Sequence, residues 1–208
     1  RDAAGGHSLD ADSYKTAIAA IRAEVGQHAI IQVTSESVGK YSVEEQMAMV
    51  RSVKPEAVSL SVREIFPPGC DEVVVSEFLA WVASERIMPQ YIMFSTEDFE
   101  QFMSLRSRGI VPDECFSVLF VLGRYSKCQQ SSPKDLLQFL YASHGVSMEW
   151  FVCAFGEKEG SCAISAVTLG GHCRVGFENN VFLADGPVAP NNSALVKQVC
   201  DGAALICR

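Results

Sequence analysis

The residues best suited to chemistry lie in a short polar segment near the carboxyl end of the chain. Arg174 is a planar cation with five donors, which suits it to hold a carboxylate, and Glu178 is an acid/base group or a hard-oxygen ligand. The apolar residues around Arg174 predict a strand over His172–Phe177. Residues four apart in an extended strand point to the same face, so we expect both side chains to enter one pocket. An ordinary surface ion pair at a strand end is the alternative.

This segment resembles the β-keto acid cleavage enzymes, a family whose founding activity cleaves 3-keto-5-aminohexanoate. The likeness is carried by the order Gly-Gly-His-x-Arg-x-Gly-x-Glu-x-Asn over 170–180, with Gly186 and Ala189-x-x-Asn192 behind it. It continues along almost the whole chain, in Arg1-Asp2, Gly5-Gly6, Ile30–Thr34, Lys54-Pro55-Glu56, Ser59-Leu60, Phe120–Gly123 and Trp150.

The resemblance implies a cofactor, a co-substrate and site residues. Zinc, or another divalent metal, would be held by Glu178 and by a His-x-His pair expected upstream of Arg1. Arg174 would lie beside the reacting β-keto acid, and the hydroxyls of Thr34 and Ser59 would bind it. Acetyl-CoA would be the second substrate, and carbon–carbon cleavage would yield acetoacetate and a new CoA ester. The resemblance also implies a homo-oligomer, a tetramer.

The departures from the family lie at predicted strand ends. The family's motif continues Glu-Asp-Asn, whereas this chain has Asn179 in place of the aspartate that is the presumed acid/base partner of the arginine. An amide cannot take up a proton at neutral pH, so we expect Asn179 to orient a group or a water. Ile92 stands where the family has a glutamate for the substrate amine, and this disfavours an amino-substituted substrate. Glu157 and Arg63 alter charges at the predicted pocket rim.

Composition limits the partners. The 208 residues are 48% hydrophobic, enough for a sizeable core, and the net charge of −8 without a basic run argues against nucleic acid. We expect no membrane partner. The eight cysteines show no C-x-x-C pair, which favours reduced thiols in a cytoplasmic protein. The histidines, none at ligand spacing, are expected to be structural or solvated, and they are His7, His28, His144 and His172.

Strand-like and helical runs alternate along the chain, which predicts an α/β fold with a parallel sheet. The strands are predicted at Ala29–Thr34, Ala57–Val62, Gln90–Phe94, Phe116–Leu122, Trp150–Phe155 and His172–Phe177. The helices are predicted at Tyr14–Val25, Val43–Ser52, Ser76–Arg86, Glu97–Arg108, Pro133–Tyr141, Ser161–Leu169 and Asn192–Cys200.

Six strands are too few for a closed (β/α)8 TIM barrel. The resemblance aligns Arg1-Asp2 just after the family's second strand, so we expect residues 1–208 to be a single barrel domain that lacks its first two strands and a short carboxyl-terminal tail.

Two other functions fit the same residues. One is a metal-dependent aldolase or isomerase that acts on a polarised carbonyl without CoA. The other is a non-catalytic barrel that binds a ligand after losing its base.

Overall fold

Capping side chains set the starts of the helices. Within residues 2, 4–113 and 116–206, which the computed structural model describes, Ser42 and Glu45 form a capping box at the start of α2. The side chain of Asp10 accepts a hydrogen bond from the N–H of Ser13. The helices are α1 (Ala11–Val25), α2 (Val43–Val53), α3 (Val62–Ile65), α4 (Glu72–Ser84), α5 (Thr96–Ser107), α6 (Leu136–Ala142), α7 (Glu159–Thr168) and α8 (Asn192–Ile206).

The strands are short, and β2 and β4 are buried along their whole length. They are β1 (Gln32–Thr34), β2 (Ala57–Ser61), β3 (Met88–Met93), β4 (Ser117–Leu122), β5 (Glu149–Ala154) and β6 (His172–Cys173). Their order in the sheet is their order in the chain. The pairs β1/β2, β4/β5 and β5/β6 are parallel. The α/β fold with parallel strands is therefore confirmed.

The chain divides into two compact units. The first consists of Arg1–Tyr91 and Gln101–Phe116, and the second of Ile92–Glu100 and Ser117–Arg208. In the first unit, Val33 of β1 pairs with Val58 of β2, and both are buried. The prediction of one barrel domain with two further strands upstream stays a prediction.

In the second unit β4 buries both of its faces. Phe120 stacks on Phe139 of α6 with ring centroids 4.6 Å apart and meets Phe99 of α5 edge to face at 6.1 Å. Side chains alternate along a strand, so Leu119 and Val121 point to the opposite face and join a second apolar cluster. This explains the unbroken apolar run of β4, as expected for a strand covered on both sides.

Each predicted strand and helix overlaps an observed one, although several of their ends differ. The strand predicted at Ala29–Thr34 begins only at Gln32. The predicted strand Ala57–Val62 ends at Ser61, where the short helix α3 begins. The strand predicted over His172–Phe177 ends at Cys173, because the chain turns at Gly176, whose φ of 155° favours glycine.

None of the described helices is long and apolar enough to cross a membrane.

Candidate active site

Arg174 is placed by the register of the last strand pair. Val152 of β5 pairs with Cys173, and the N–H of Arg174 donates to the carbonyl of Val152 at 2.8 Å, which continues the pairing by one residue. Cys153 and Arg174 are thus neighbours across the sheet. Nη2 of Arg174 lies 3.4 Å from Sγ of Cys153.

The surface beside Arg174 is apolar. Cys153 belongs to a buried cluster formed with Ile92, Leu119, Val121 and Phe155. Burial raises the pKa of the Cys153 thiol to about 11, although the Arg174 guanidinium acts in the opposite direction. The thiol is therefore neutral at physiological pH and serves as a packing surface for the cation.

Glu178 reaches Arg174 through a turn and not along a strand. Residues 176–180, called the 176–180 turn from here on, are closed by hydrogen bonds from the N–H groups of Asn179 and Asn180 to the carbonyl of Gly176, at 2.8 and 3.1 Å. The prediction that Arg174 and Glu178 lie on the same face of one strand is wrong, because β6 ends before either residue. The two side chains nevertheless meet, with Nη2 and Oε2 3.6 Å apart.

This ion pair is accessible to solvent. The side chains of Arg174 and Glu178 are 37% and 64% exposed. Exposed pairs contribute only about 0–1 kcal/mol to stability. A substrate carboxylate can therefore replace Glu178 at the guanidinium at small cost.

Neighbouring elements fix the 176–180 turn from two sides. Oδ1 of Asn192, the first residue of α8, accepts a hydrogen bond from the N–H of Phe177 at 2.8 Å. The N–H of Gly156, just after β5, donates to the carbonyl of Asn179 at 3.1 Å. These bonds hold Glu178 outward while they turn Asn179 into the protein.

A buried carboxyl group lies beneath this turn. Glu159, the first residue of α7, is only 2% exposed. Its Oε1 accepts from the N–H of Gly176 at 2.9 Å and from Nδ2 of Asn179 at 3.4 Å, and its Oε2 accepts from Nδ2 of Asn180 at 3.3 Å. Burial raises the pKa of Glu159, while these donors and the charge of Arg174 counteract the rise.

Asn179 presents one polar atom without a partner. The residue is 7% exposed, and its Oδ1 is buried with no hydrogen-bond partner among the described residues. Asn179 also lines a cleft of about 270 Å³ together with Glu178 and Asn180. A buried acceptor without a donor is costly, so this oxygen would gain from a hydrogen-bond donor.

Thr34 and Ser59 lie in the first unit as direct register partners at the ends of β1 and β2. Oγ1 of Thr34 accepts from the N–H of Glu36 at 3.1 Å, which leaves its hydroxyl proton available. Oγ of Ser59 donates to the carbonyl of Val33 at 3.4 Å and is buried. The structure brings these two residues together, as it brings Arg174 and Glu178 together in the second unit.

The described residues do not complete a zinc site. They contain no group of three His, Cys, Asp or Glu side chains that could hold a metal ion. Glu178 offers one exposed carboxylate, but catalytic zinc takes three protein ligands. His172 contacts the surface carboxylate of Glu149 at 3.0 Å, and His7 contacts the backbone carbonyl of Glu36.

The chain was compared with models of known protein families. A family model described as beta-keto acid cleavage enzyme matches residues 1–207. The chain belongs to the β-keto acid cleavage enzyme family. The arginine next to a carboxylate at the end of the last strand is thus found in a chain whose family cleaves β-keto acids.

Two curated relatives show how far this chain has diverged within the family. A 3-keto-5-aminohexanoate cleavage enzyme of Acetoanaerobium sticklandii is 29% identical over 90% of this chain and 69% of its own length. A 3-oxoadipate:acetyl-CoA acetyltransferase of Cupriavidus necator is 27% identical over 71% of this chain and 54% of its own length. The chain therefore spans about half to two thirds of the length of these relatives.

Solved structures support the fold alone. A type I 3-dehydroquinate dehydratase of Clostridium difficile superposes with a TM-score of 0.60 over 95% of this chain and 76% of that chain, at 10% identity. A dihydrodipicolinate synthase family protein of Coccidioides immitis gives a TM-score of 0.52 over 94% of this chain and 58% of that chain, at 13% identity.

Sequence reasoning missed two groups. Glu159 stands in the charged stretch Glu157-Lys158-Glu159, which is typical of an exposed helix start, and its asparagine partners are some twenty positions away in the chain. Arg124 follows β4 and lies over the ring of Phe155, with Cζ 5.3 Å from the ring centroid. Arg124 could have been found from its position, because a charged residue two positions after a buried parallel strand lies at the end of the sheet where active sites form.

Proposed function

We propose that this protein cleaves a carbon–carbon bond of a β-keto acid with acetyl-CoA as co-substrate, and so forms acetoacetate and a new CoA ester. One observation carries the proposal: a partly exposed arginine rests on an apolar wall and forms an ion pair with the exposed carboxylate of Glu178. The family and its acetyl-CoA-using relative supply the reaction class.

Arg174 binds the keto acid. Its guanidinium exchanges Glu178 for the substrate carboxylate, because both present the same planar acceptor. The Cys153 thiol beneath it is neutral, so the cation keeps its full attraction for an anion. As the bond breaks, the same donors stabilise the negative charge that develops on the substrate.

The substrate does not carry an amino group near Ile92. This side chain is 8% exposed and packs in the cluster with Leu119 and Cys153. An ammonium group against such a surface would lose its hydration without gaining a partner. We therefore infer a keto acid with an apolar or anionic substituent. For the anionic case Arg124, at the end of β4, is a second cation.

Thr34 and Ser59 contribute hydroxyls to substrate binding. Thr34 is the stronger donor of the two, because its oxygen already accepts from the backbone while its proton is available. Ser59 already donates to a backbone carbonyl, and this bond orients its oxygen as an acceptor.

Five further features stay predictions. From the resemblance, Glu178 is the predicted metal ligand of this chain, with two histidines predicted upstream of Arg1, and zinc or another divalent ion is the predicted metal. A homotetramer and a complete eight-stranded barrel are predicted in the same way, and a cytoplasmic location is predicted from the cysteines.

A product assay tests the proposal. The full-length protein is incubated with 3-oxoadipate, with 3-keto-5-aminohexanoate and with an unsubstituted β-keto acid, each with and without acetyl-CoA, and acetoacetate is measured by mass spectrometry. We expect acetoacetate only with acetyl-CoA and not from the amino-substituted acid. Turnover without acetyl-CoA would instead indicate the aldolase or isomerase. Binding without turnover, under every condition, would indicate the non-catalytic barrel.

A further inference from the structure

The family pattern and the structure place a carboxyl group at different positions of the same cluster. In the pattern an aspartate follows the glutamate that matches Glu178, and here that position is the amide Asn179. The structure shows a buried carboxyl of another residue, Glu159, with Oε1 3.4 Å from the amide nitrogen of Asn179. In this chain the turn and the residues beneath it thus combine one buried carboxyl group, on α7, with an amide at position 179 of the turn.

The hydrogen bonds of Glu159 fix which way the Asn179 amide points. Nδ2 of Asn179 donates to the carboxyl of Glu159. Oδ1, the other terminal atom of the amide, therefore points away from that carboxyl. That oxygen is buried and unpartnered within the described residues. Nδ2 of Asn180 is held by the same carboxyl and by the carbonyl of Phe182 at 2.7 Å. The acceptor orientation of Oδ1 is therefore imposed from beneath the turn.

Glu159 acts through Asn179 and not directly. The cleft of about 270 Å³ is lined by Glu178, Asn179 and Asn180, whereas the Glu159 carboxyl lies below them. A carboxyl that does not line the cleft cannot contact a molecule bound there without displacement of the turn. Its role is consequently to position the amide.

We propose that Glu159 is a positioning residue that stands in for the family's aspartate and holds the Asn179 amide so that Oδ1 accepts a hydrogen bond from the enol hydroxyl of the bound β-keto acid. This inference rests on the proposed function for the identity of the donor. The pairing of Glu159 with Asn179 is independent of it.

The proposal predicts that this cluster tolerates one carboxyl group and no more. An aspartate at 179 would replace the donating Nδ2 by a second acceptor facing Oε1 of Glu159. Two carboxyl groups at such a distance repel each other, or one must hold a proton. A glutamine at 159 together with an aspartate at 179 restores one donor and one carboxyl, with their positions exchanged.

A double-mutant cycle tests whether the carboxyl and the amide at positions 159 and 179 can exchange places. The proteins are wild type, Glu159→Gln, Asn179→Asp and the double variant, with Glu77→Gln, an exposed residue of α4, as the control. We expect both single variants to melt lower than wild type and to lose at least about tenfold in kcat with a smaller change in KM. The double variant should recover the melting temperature and much of kcat. Glu77→Gln should match wild type in both.

Several results would overturn the proposal. Additive losses in the double variant would show that the two residues do not act together, and a Glu159→Gln protein with unchanged kcat would remove the positioning role. If the single variants do not fold, Asn179→Ala deletes Oδ1 together with Nδ2, while the N–H of Gly176 and Nδ2 of Asn180 still bind Glu159. This variant should then lose kcat with at most a small fall in melting temperature, and retained kcat would contradict the proposal. If wild type does not cleave β-keto acids, the proposed function fails, and the melting temperatures alone still decide whether 159 and 179 are coupled.

Discussion

The guanidinium of Arg174 lies against the thiol of Cys153, with Nη2 3.4 Å from Sγ. The two residues are neighbours because the β5/β6 register continues one residue past the end of β6. A cation that rests on a buried neutral thiol, and meets an exposed carboxylate on its other side, is ready to accept an anionic ligand. Two predictions follow from this arrangement.

Replacement of Arg174 by lysine should weaken substrate binding. Lysine keeps the charge but loses the planar pair of donors that matches a carboxylate. We expect the KM for the keto acid to rise by at least about tenfold, which corresponds to about 1.4 kcal/mol of binding free energy. Arg108→Lys is the matched control, because Arg108 pairs with Glu72 on the surface. Equal KM values in wild type and Arg174→Lys would rule out Arg174 as the carboxylate anchor.

Cys153 should resist alkylation in the folded protein. Its pKa of about 11 leaves roughly one thiolate in a thousand at pH 8, and burial also blocks the reagent. We expect iodoacetamide to modify the exposed Cys128 and Cys200 first, as followed by peptide mass spectrometry over time. In urea the three thiols should react at similar rates. Fast labelling of Cys153 without denaturant would contradict the described packing.

The free energy of unfolding should depend on pH in part through the protonation of Glu159. Its pKa is raised from the ordinary value of 4.5 by burial, so the folded protein binds this proton more tightly than the unfolded chain does. The contribution of Glu159 to stability is thus largest below the unfolded pKa and declines as the pH rises through the folded pKa. The charge of Arg174 acts on this carboxyl against the rise, and the carboxyl in turn helps to raise the pKa of the thiols of Cys153, Cys162 and Cys173.

Denaturation at a series of pH values checks this expectation. From pH 4 upward, the Glu159→Gln variant should lack the decline in unfolding free energy that Glu159 causes in wild type. The difference between the two proteins should therefore change with pH in favour of the variant. A pH-independent difference would mean that the carboxyl has the same pKa in the folded and unfolded chain.

A methyl group at position 171 should destabilise the protein. A Cβ on Gly171 would lie 2.4 Å from ring atoms of Trp150, so the indole would have to move. We expect Gly171→Ala to lose about 1–3 kcal/mol in chemical denaturation, as is usual when a packed contact is overfilled. Gly160→Ala is the control, because its Cβ would come no closer than 3.2 Å to a neighbour, the side-chain nitrogen of Gln198, and alanine favours the helix. Equal stabilities would show that the Trp150 ring is free to shift.

The order of strands and helices could be predicted from the sequence because apolar periodicity is a local property. Gly26 marks the end of α1, and Ser132-Pro133 begin a short 3-10 helix, Pro133–Asp135, that leads into α6 at Leu136. The end of β6 could not be predicted from the apolar run, since Val175 and Phe177 continue the pattern although the chain turns at Gly176.

The site could be predicted only in part. Arg174 and Glu178 were predicted from residue type and spacing, and the structure brings them together at 3.6 Å, by a turn and not a strand. Glu159 could not be found in this way, because its burial depends on Asn179 and Asn180, which are close in space and distant in sequence. Nothing in the local pattern of Glu157-Lys158-Glu159 distinguishes a buried carboxyl from an exposed one.

Glu159 and the 176–180 turn lie in one continuous stretch of chain, formed by α7, β6 and the turn. The bonds that hold the turn nevertheless reach Gly156 before this stretch and Asn192 after it. A graft of the segment into another chain would therefore have to extend from Gly156 to Asn192 to keep the turn in place.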